Sequence, residues 1–185
     1  MATSLKKQRE HLLRITRLVD NILDEAKITE GKLLLELEEF DLCEMVTNVL
    51  ERFKVLVQTS NIGIIFNPKQ SITGKWDRFR MEQVFINLLI NAIRYGNKKP
   101  IEIEVFQENQ NAHLIVRDQG IGIQIKDQQR IFERFERANP ADEINGLGLG
   151  LYISENIISA HKGEIKLKSE FEKGSEFTII IPVNS

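Results

Sequence analysis

Apolar side chains follow a helical period at the start of the chain and switch repeatedly between helical and strand periods after it. Leu5, Gln8, Leu12, Ile15, Val19, Ile22 and Ala26 recur at spacings alternating between three and four, in a stretch with no glycine or proline. This predicts one long helix over 5–28 carrying a heptad seam. Leu13, Leu18 and Leu23 widen its apolar face beyond a two-stranded seam, which favours a bundle. A single helix cannot bury such a stripe, so either a second helix covers it or the helix folds back on its own domain.

Thr29-Glu30-Gly31-Lys32 is a helix stop, and the domain boundary is expected there, with residues 1–31 set apart from 32–185. Leu33–Phe40 has the composition of a short strand and leads into Asp41, an N-cap for a helix from Leu42 to about Thr59 with Met45, Val46, Val49, Phe53 and Leu56 on its apolar face. Ile62–Phe66 and Ser71–Trp76 predict two strands separated by the Asn67-Pro68 turn. A second long helix is expected over Asp77–Tyr95, with Met81, Phe85, Leu88, Leu89 and Ala92 on one side and Asn87, Asn91 and Arg94 along a neighbouring stripe. Strands are expected at Ile101–Phe106, Ala112–Val116, Glu164–Glu170 and Glu176–Ile181, and a helix from Gly150 to near Ala160. Interspersed elements whose neighbouring strands are mostly joined by hairpins imply a two-layer α/β sandwich: a mixed sheet covered by helices on one face, preceded by the long N-terminal helix.

Composition narrows the classes. The chain has 185 residues, 42% of them hydrophobic, which suffices for a full core. A net charge of −2 and a pI near 6.0 give no polycationic footprint, so nucleic acid is not expected as a partner. The one cysteine, Cys43, excludes an internal disulfide or a cysteine-rich metal site and fits a reducing, cytoplasmic setting. No apolar run approaches the roughly 20 residues that cross a bilayer. Met1-Ala2-Thr3-Ser4 does not resemble folded sequence, so a fragment of something longer, whose parent could be membrane-anchored, is expected.

The candidate chemistry centres on Gly146-Leu147-Gly148-Leu149-Gly150, alternate glycines opening a helix whose free amides and positive dipole end suit an anion. Such a run alone is as often a flexible cap. It is accompanied, in order, by Asn87-Leu-Leu-Ile-Asn91-Ala-Ile-Arg94-Tyr95, Asp118-Gln-Gly120-Ile-Gly122 and Ile131-Phe132-Glu-Arg-Phe135. Together these four segments closely resemble the N, G1, F and G2 boxes of the ATP-binding catalytic domain of two-component sensor histidine kinases. That domain has the Bergerat nucleotide fold, shared with type II topoisomerases and some heat-shock chaperones. The resemblance runs from about Phe40 to the end of the chain.

The resemblance implies ATP and Mg²⁺ as cofactors. It makes Asp118 the acceptor for the adenine amino group, with Gly120 and Gly122 turning the backbone beneath the base. Asn91 resembles the magnesium-binding asparagine; Asn87 lines the same pocket, Arg94 meets phosphate and Tyr95 packs on ribose or base. Asn87, Asn91 and Arg94 form the catalytic set. Phosphate contacts fall to Gly146, Leu147, Gly148, Leu149 and Gly150, under a lid of residues 137–145 whose base Phe132 and Phe135 anchor. The related ATPases place a glutamate where this chain has Asn87, and asparagine has no carboxylate to deprotonate water. The γ-phosphate is therefore expected to be held for a separate nucleophile.

In the resembling family that nucleophile is a histidine on a dimerisation hairpin, and residues 1–31 resemble the hairpin's second helix. His11 lacks the acidic residue and nearby proline of the acceptor motif, and His113 and His161 lie in the catalytic domain, so the acceptor helix is expected elsewhere in the parent. A homodimeric parent and a response regulator receiver domain are the implied partners, in a phosphorelay. Lys162, where the family often has glycine, is a departure. Two other expectations stand beside this one: an ATPase clamp of the same superfamily, and a non-catalytic nucleotide-sensing module.

Overall fold

The computed structural model describes residues 19–68, 70–136 and 147–184. The seam positions Leu5 to Ile15, together with His11, Gly146 and the lid segment 137–145, lie outside the described residues. Helix α1 covers residues 19–29 and stops at Gly31, whose φ of 65° places it in the left-handed region. The rest of the chain runs β1 (Glu38–Asp41), α2 (Leu42–Thr59), β2 (Ile64–Phe66), β3 (Thr73–Trp76), α3 (Arg78–Tyr95), β4 (Ile101–Glu108), β5 (Asn111–Asp118), two 3₁₀ turns (Ile125–Asp127 and Arg130–Phe132), α4 (Gly150–Ala160), β6 (Glu164–Glu170) and β7 (Gly174–Pro182).

Five strands form the main sheet in the order β2-β4-β5-β7-β6, with β2 parallel to β4 and every other pair antiparallel. Alternation decides its faces. Ile101, Ile103 and Val105 of β4, Leu114 and Val116 of β5, and Phe177, Ile179 and Ile181 of β7 are buried beneath the helices, each removal from water contributing roughly 1.5–3 kcal/mol. The other face carries charge at one end, where Arg117 bridges Glu102 at 2.7 Å, Glu104 at 3.1 Å and Glu176 at 2.7 Å. The edge strand β6 exposes Glu164, Lys166, Lys168 and Glu170, which discourages pairing with another chain. The mixed sheet with helices on one face is the architecture that the hydrophobic pattern implies.

Helices α2 and α3 begin where aspartates cap them. Asp41 accepts from the N–H groups of Cys43 and Glu44 at 2.7 and 3.2 Å, and Asp77 accepts from Arg80 at 3.0 Å. In α3, Met81, Phe85, Leu88 and Leu89 are fully buried or nearly so, a stripe at helical spacing that turns the asparagines to its flank.

Two expectations need correction. The strand forecast over Leu33–Phe40 is only Glu38–Asp41, because its partner β3 offers four residues, Thr73 to Trp76, and pairing ends with them. Leu34 upstream is 85% exposed. In addition, the segments on either side of Asn67-Pro68 enter different sheets: β2 joins β4, whereas β3 pairs with β1. Trp76 ties this small sheet to the main one. Its ring is fully buried, packs edge-on against Phe40 at 5.4 Å and donates from Nε1 to the Pro182 carbonyl at 2.7 Å.

His161 joins the ends of two helices. Its Nε2 accepts from the Asp77 N–H at 3.0 Å and its Nδ1 lies 2.8 Å from the Ile157 carbonyl, so the neutral Nδ1–H tautomer satisfies both. Burial lowers its pKa from the ordinary 6.5, against weaker raising by the Ile157 carbonyl and Asp77. The unfolded chain then binds the proton more readily, so stability rises with pH across the window from the depressed folded value to 6.5, and is lost on acidification through it. Urea midpoints between pH 7 and 5 are expected to fall for the wild type and to fall less for His161→Gln.

Candidate functional site

Three segments converge at one end of the α layer. The flank of α3 presents Asn87 and Asn91, both half-buried, followed by exposed Arg94 and half-buried Tyr95; the Arg94 guanidinium lies 5.8 Å from the Tyr95 ring centre. Asn87 reaches across to α4. Its Nδ2 donates to Ser154 Oγ at 3.0 Å, and Ser154 Oγ in turn donates to the Gly150 carbonyl at 2.9 Å.

Asp118 closes β5 beneath the end of α3. Its side chain is buried, and Oδ1 accepts from the Gly120 N–H at 2.8 Å. Burial raises its pKa above the ordinary 3.8, opposed by hydrogen bonds from the Gly120 and Ser175 N–H groups. The turn that follows has no room for a side chain at its glycines: a Cβ at Gly120 would stand 1.8 Å from the Tyr95 carbonyl oxygen. Gly122, at φ 61°, would bring one to 2.0 Å from the Glu170 carbonyl oxygen.

The third segment is the turn into α4. Gly148 has φ 69° and packs against the backbone of Phe135 and Glu136; Leu149 is buried and anchors the turn, while Leu147 is 38% exposed. Among the described residues no side chain caps α4, so its first-turn amides suit an anion. A Cβ on Gly150 would stand 2.3 Å from Asn87 Oδ1, which places the asparagine flank against the helix start.

Of the residues singled out in the sequence, Asn87 and Gly150 are thus in direct apposition, and Asp118, Gly120 and Tyr95 meet at the other side. Gly146 lies outside the described residues. Of the two phenylalanines expected to anchor the lid, Phe132 does pack on the core, edge-on to Phe177 at 6.4 Å, but Phe135 is 54% exposed. Its φ of 64° turns the backbone so that the ring faces outward under the Arg134 guanidinium, at 4.7 Å. Sequence reasoning passed over Ser154, whose signal was a hydroxyl at i+4 from Gly150 on the buried side of an apolar helix, and Ser175, which acts on Asp118 through its backbone.

The family described as histidine kinase-, DNA gyrase B- and HSP90-like ATPases matches residues 76–185, which contain all three segments. The chain belongs to this family. Within it the likeness is to sensor kinases: this ATPase-family chain is 35% identical over 176 residues to the sensor protein KdpD of Escherichia coli K12, covering 94% of the chain and 19% of KdpD. It therefore spans about a fifth of that relative's length. The structure matches that of the Acinetobacter baumannii histidine kinase AdeS with a TM-score of 0.78 and 31% identity, over 99% of this chain and 84% of that one. It also matches full-length ShkA in complex with AMPPNP, with a TM-score of 0.82 and 25% identity, over 97% of this chain and 37% of ShkA. The protein contains a histidine-kinase-type catalytic ATP-binding domain.

Proposed function

We propose that this domain holds Mg-ATP between α3 and the glycine turns and presents the γ-phosphate to a histidine on the first helix of a hairpin, a helix outside these 185 residues, as part of a two-component sensor kinase. The observation that carries the reading is the start of α4, uncapped among the described residues, standing against Asn87 across Gly150. Donors for phosphate and a neutral amide oxygen are thereby brought to one place.

Each residue has a role in this reading. Asp118 accepts from the adenine amino group, and Gly120 and Gly122 let the base lie on bare backbone. Tyr95 packs on the base or ribose, and Arg94 meets phosphate. The amides of the segment from Gly146 to Gly150 wrap the phosphate chain, with Leu149 as the buried anchor and Leu147 and Phe135 on the rim. Asn87, held by Ser154, and Asn91 face the ion and its waters. Among the described residues no trio of His, Cys, Asp or Glu could hold a metal, so the fitting cation is one that takes most of its oxygens from the nucleotide. Asn91 would hold it, and the ion would neutralise charge on the phosphates. Asn87 takes no proton from water, so hydrolysis is slow and transfer waits for the acceptor.

Helix α1 supports the hairpin assignment for residues 1–31. Val19 and Ile22 of the seam and Leu23 beside it are 49, 51 and 55% exposed, an apolar stripe that suits a neighbouring helix in a dimeric parent. A receiver domain of a response regulator is the downstream acceptor. Calorimetry with ATP, with and without Mg²⁺, followed by mixing with the histidine-bearing hairpin of its own full-length gene, tests this reading. Magnesium-dependent heat and phosphoryl transfer to the hairpin are expected. Absence of heat would end it, and rapid ATP turnover by the chain alone would replace it with the ATPase clamp.

A further inference from the structure

A hydroxyl lies on the side of α4 that is otherwise apolar. Ser154 is 2% exposed and shares that side with buried Ile153, Ile157 and Ile158, where an unbonded hydroxyl would be costly. Its bonding capacity is divided between two partners. The Oγ proton goes to the Gly150 carbonyl at 2.9 Å, so only lone pairs are left for α3, and Asn87 Nδ2 donates to them at 3.0 Å.

This division fixes the orientation of an amide. A carboxamide is nearly the same shape after half a turn, but the turn exchanges a two-proton donor for an acceptor. With its own proton committed to Gly150, Ser154 can only accept, so the NH₂ end of Asn87 faces it and Oδ1 is directed to the start of α4. The distances agree: a Cβ on Gly150 would stand 2.3 Å from Asn87 Oδ1 and 3.1 Å from its Nδ2. In the reversed amide, Oδ1 would meet the serine oxygen with no proton between them unless the bond to Gly150 were given up. The NH₂ group would then face the helix start, where a cation needs oxygen.

We propose that Ser154 is a positioning residue for magnesium-bound nucleotide, acting through Asn87 by holding the carboxamide with its oxygen toward the helix start. The need for that oxygen rests on the proposed function, whereas the tether itself does not. Without the hydroxyl the amide samples both orientations, and apparent affinity falls with the fraction that is competent. The loss is confined to nucleotide that carries the ion, because nucleotide alone makes no use of the Asn87 oxygen.

The test uses the full chain with Ser154→Ala and with Ser154→Thr, whose hydroxyl can still bond the carbonyl four residues back. In the nucleotide-free protein, the NMR resonances of the Asn87 NH₂ group are expected to move toward those of a solvated asparagine in Ser154→Ala and to stay in place in Ser154→Thr. By calorimetry Ser154→Ala is expected to weaken binding of Mg-ATP about threefold to tenfold, while ATP in EDTA binds within about twofold of the wild type. In an Asn87→Ala background Ser154→Ala is expected to add nothing, since the partner through which it acts is gone. The tether is overturned if Ser154→Ala leaves the Asn87 resonances where they were. The positioning role is overturned if affinity falls equally with and without Mg²⁺, if the loss persists in Asn87→Ala, or if a folded Ser154→Thr behaves as the alanine does. If the wild type gives no magnesium-dependent heat, the functional reading fails, and the resonances still decide the tether.

Discussion

Asp118→Asn is expected to weaken ATP binding by tenfold to more than a hundredfold while making the nucleotide-free protein more resistant to urea at pH 7. The two effects have one origin. Asparagine keeps an Oδ1 to accept from the Gly120 N–H, which the carboxylate does at 2.8 Å. It also offers an NH₂ group where the adenine amino group needs an acceptor, and a charged hydrogen bond is worth roughly 1.5–3 kcal/mol. In the free protein burial is the leading influence on Asp118 and raises its pKa above 3.8, despite the Gly120 and Ser175 amides. Between 3.8 and the raised folded value the native state holds more of the proton, so stability falls as pH rises through that window and the full cost is present at neutral pH. Asparagine carries no such cost. Urea midpoints should therefore favour the variant at pH 7 and converge with the wild type near pH 4, and calorimetry should show the lost affinity. Equal ATP affinity in the two proteins would remove Asp118 from the adenine site.

How much of this was legible in the sequence depended on whether the deciding contacts were local. Helices α2 and α3 could be bounded almost to the residue because Asp41 and Asp77 cap them and the apolar stripe sets the period. The β6–β7 hairpin and the β4–β5 hairpin followed from alternation and polar turns. The length of β1 did not, since it is fixed by β3, more than 30 residues away. Nor did the parallel placement of β2 beside β4, which no local pattern encodes. For α1 the heptad seam marked an apolar stripe, but not that Asp24 and Glu25 would face the domain, because that depends on Arg80, Gln83 and Arg134 being assembled first. The order of the four motif segments was visible, whereas the Asn87–Ser154 bond and the outward turn of Phe135 belong to tertiary packing.

The close approach of α3 to the turn after β5 gives the second large effect. A methyl group at position 120 would stand 1.8 Å from the Tyr95 carbonyl oxygen and 2.6 Å from the Gly96 Cα, so it meets backbone on both contacts and no side chain can swing aside. Tyr95 O also accepts from the Ile121 N–H at 3.2 Å, which pins the helix end to the same turn. Gly120→Ala must therefore push α3 away from Asp118 as a unit. Overpacking costs about 1–3 kcal/mol, and contact with fixed backbone puts this case at about 3. At about 2–4 °C per kcal/mol for a chain of this size, the melting temperature should drop by roughly 6–12 °C. Separation of Tyr95 from Asp118 would also widen the adenine side of the site, so ATP affinity should fall even at temperatures where the variant is fully folded. Gly63→Ala supplies the control: a Cβ there would touch only Pro100 at 3.8 Å, an ordinary contact, and should shift stability by no more than about 0.5 kcal/mol. If both variants melted and bound ATP alike, the helix end and the turn would not be held together by backbone contact, and the geometry assigned to the adenine side would be wrong.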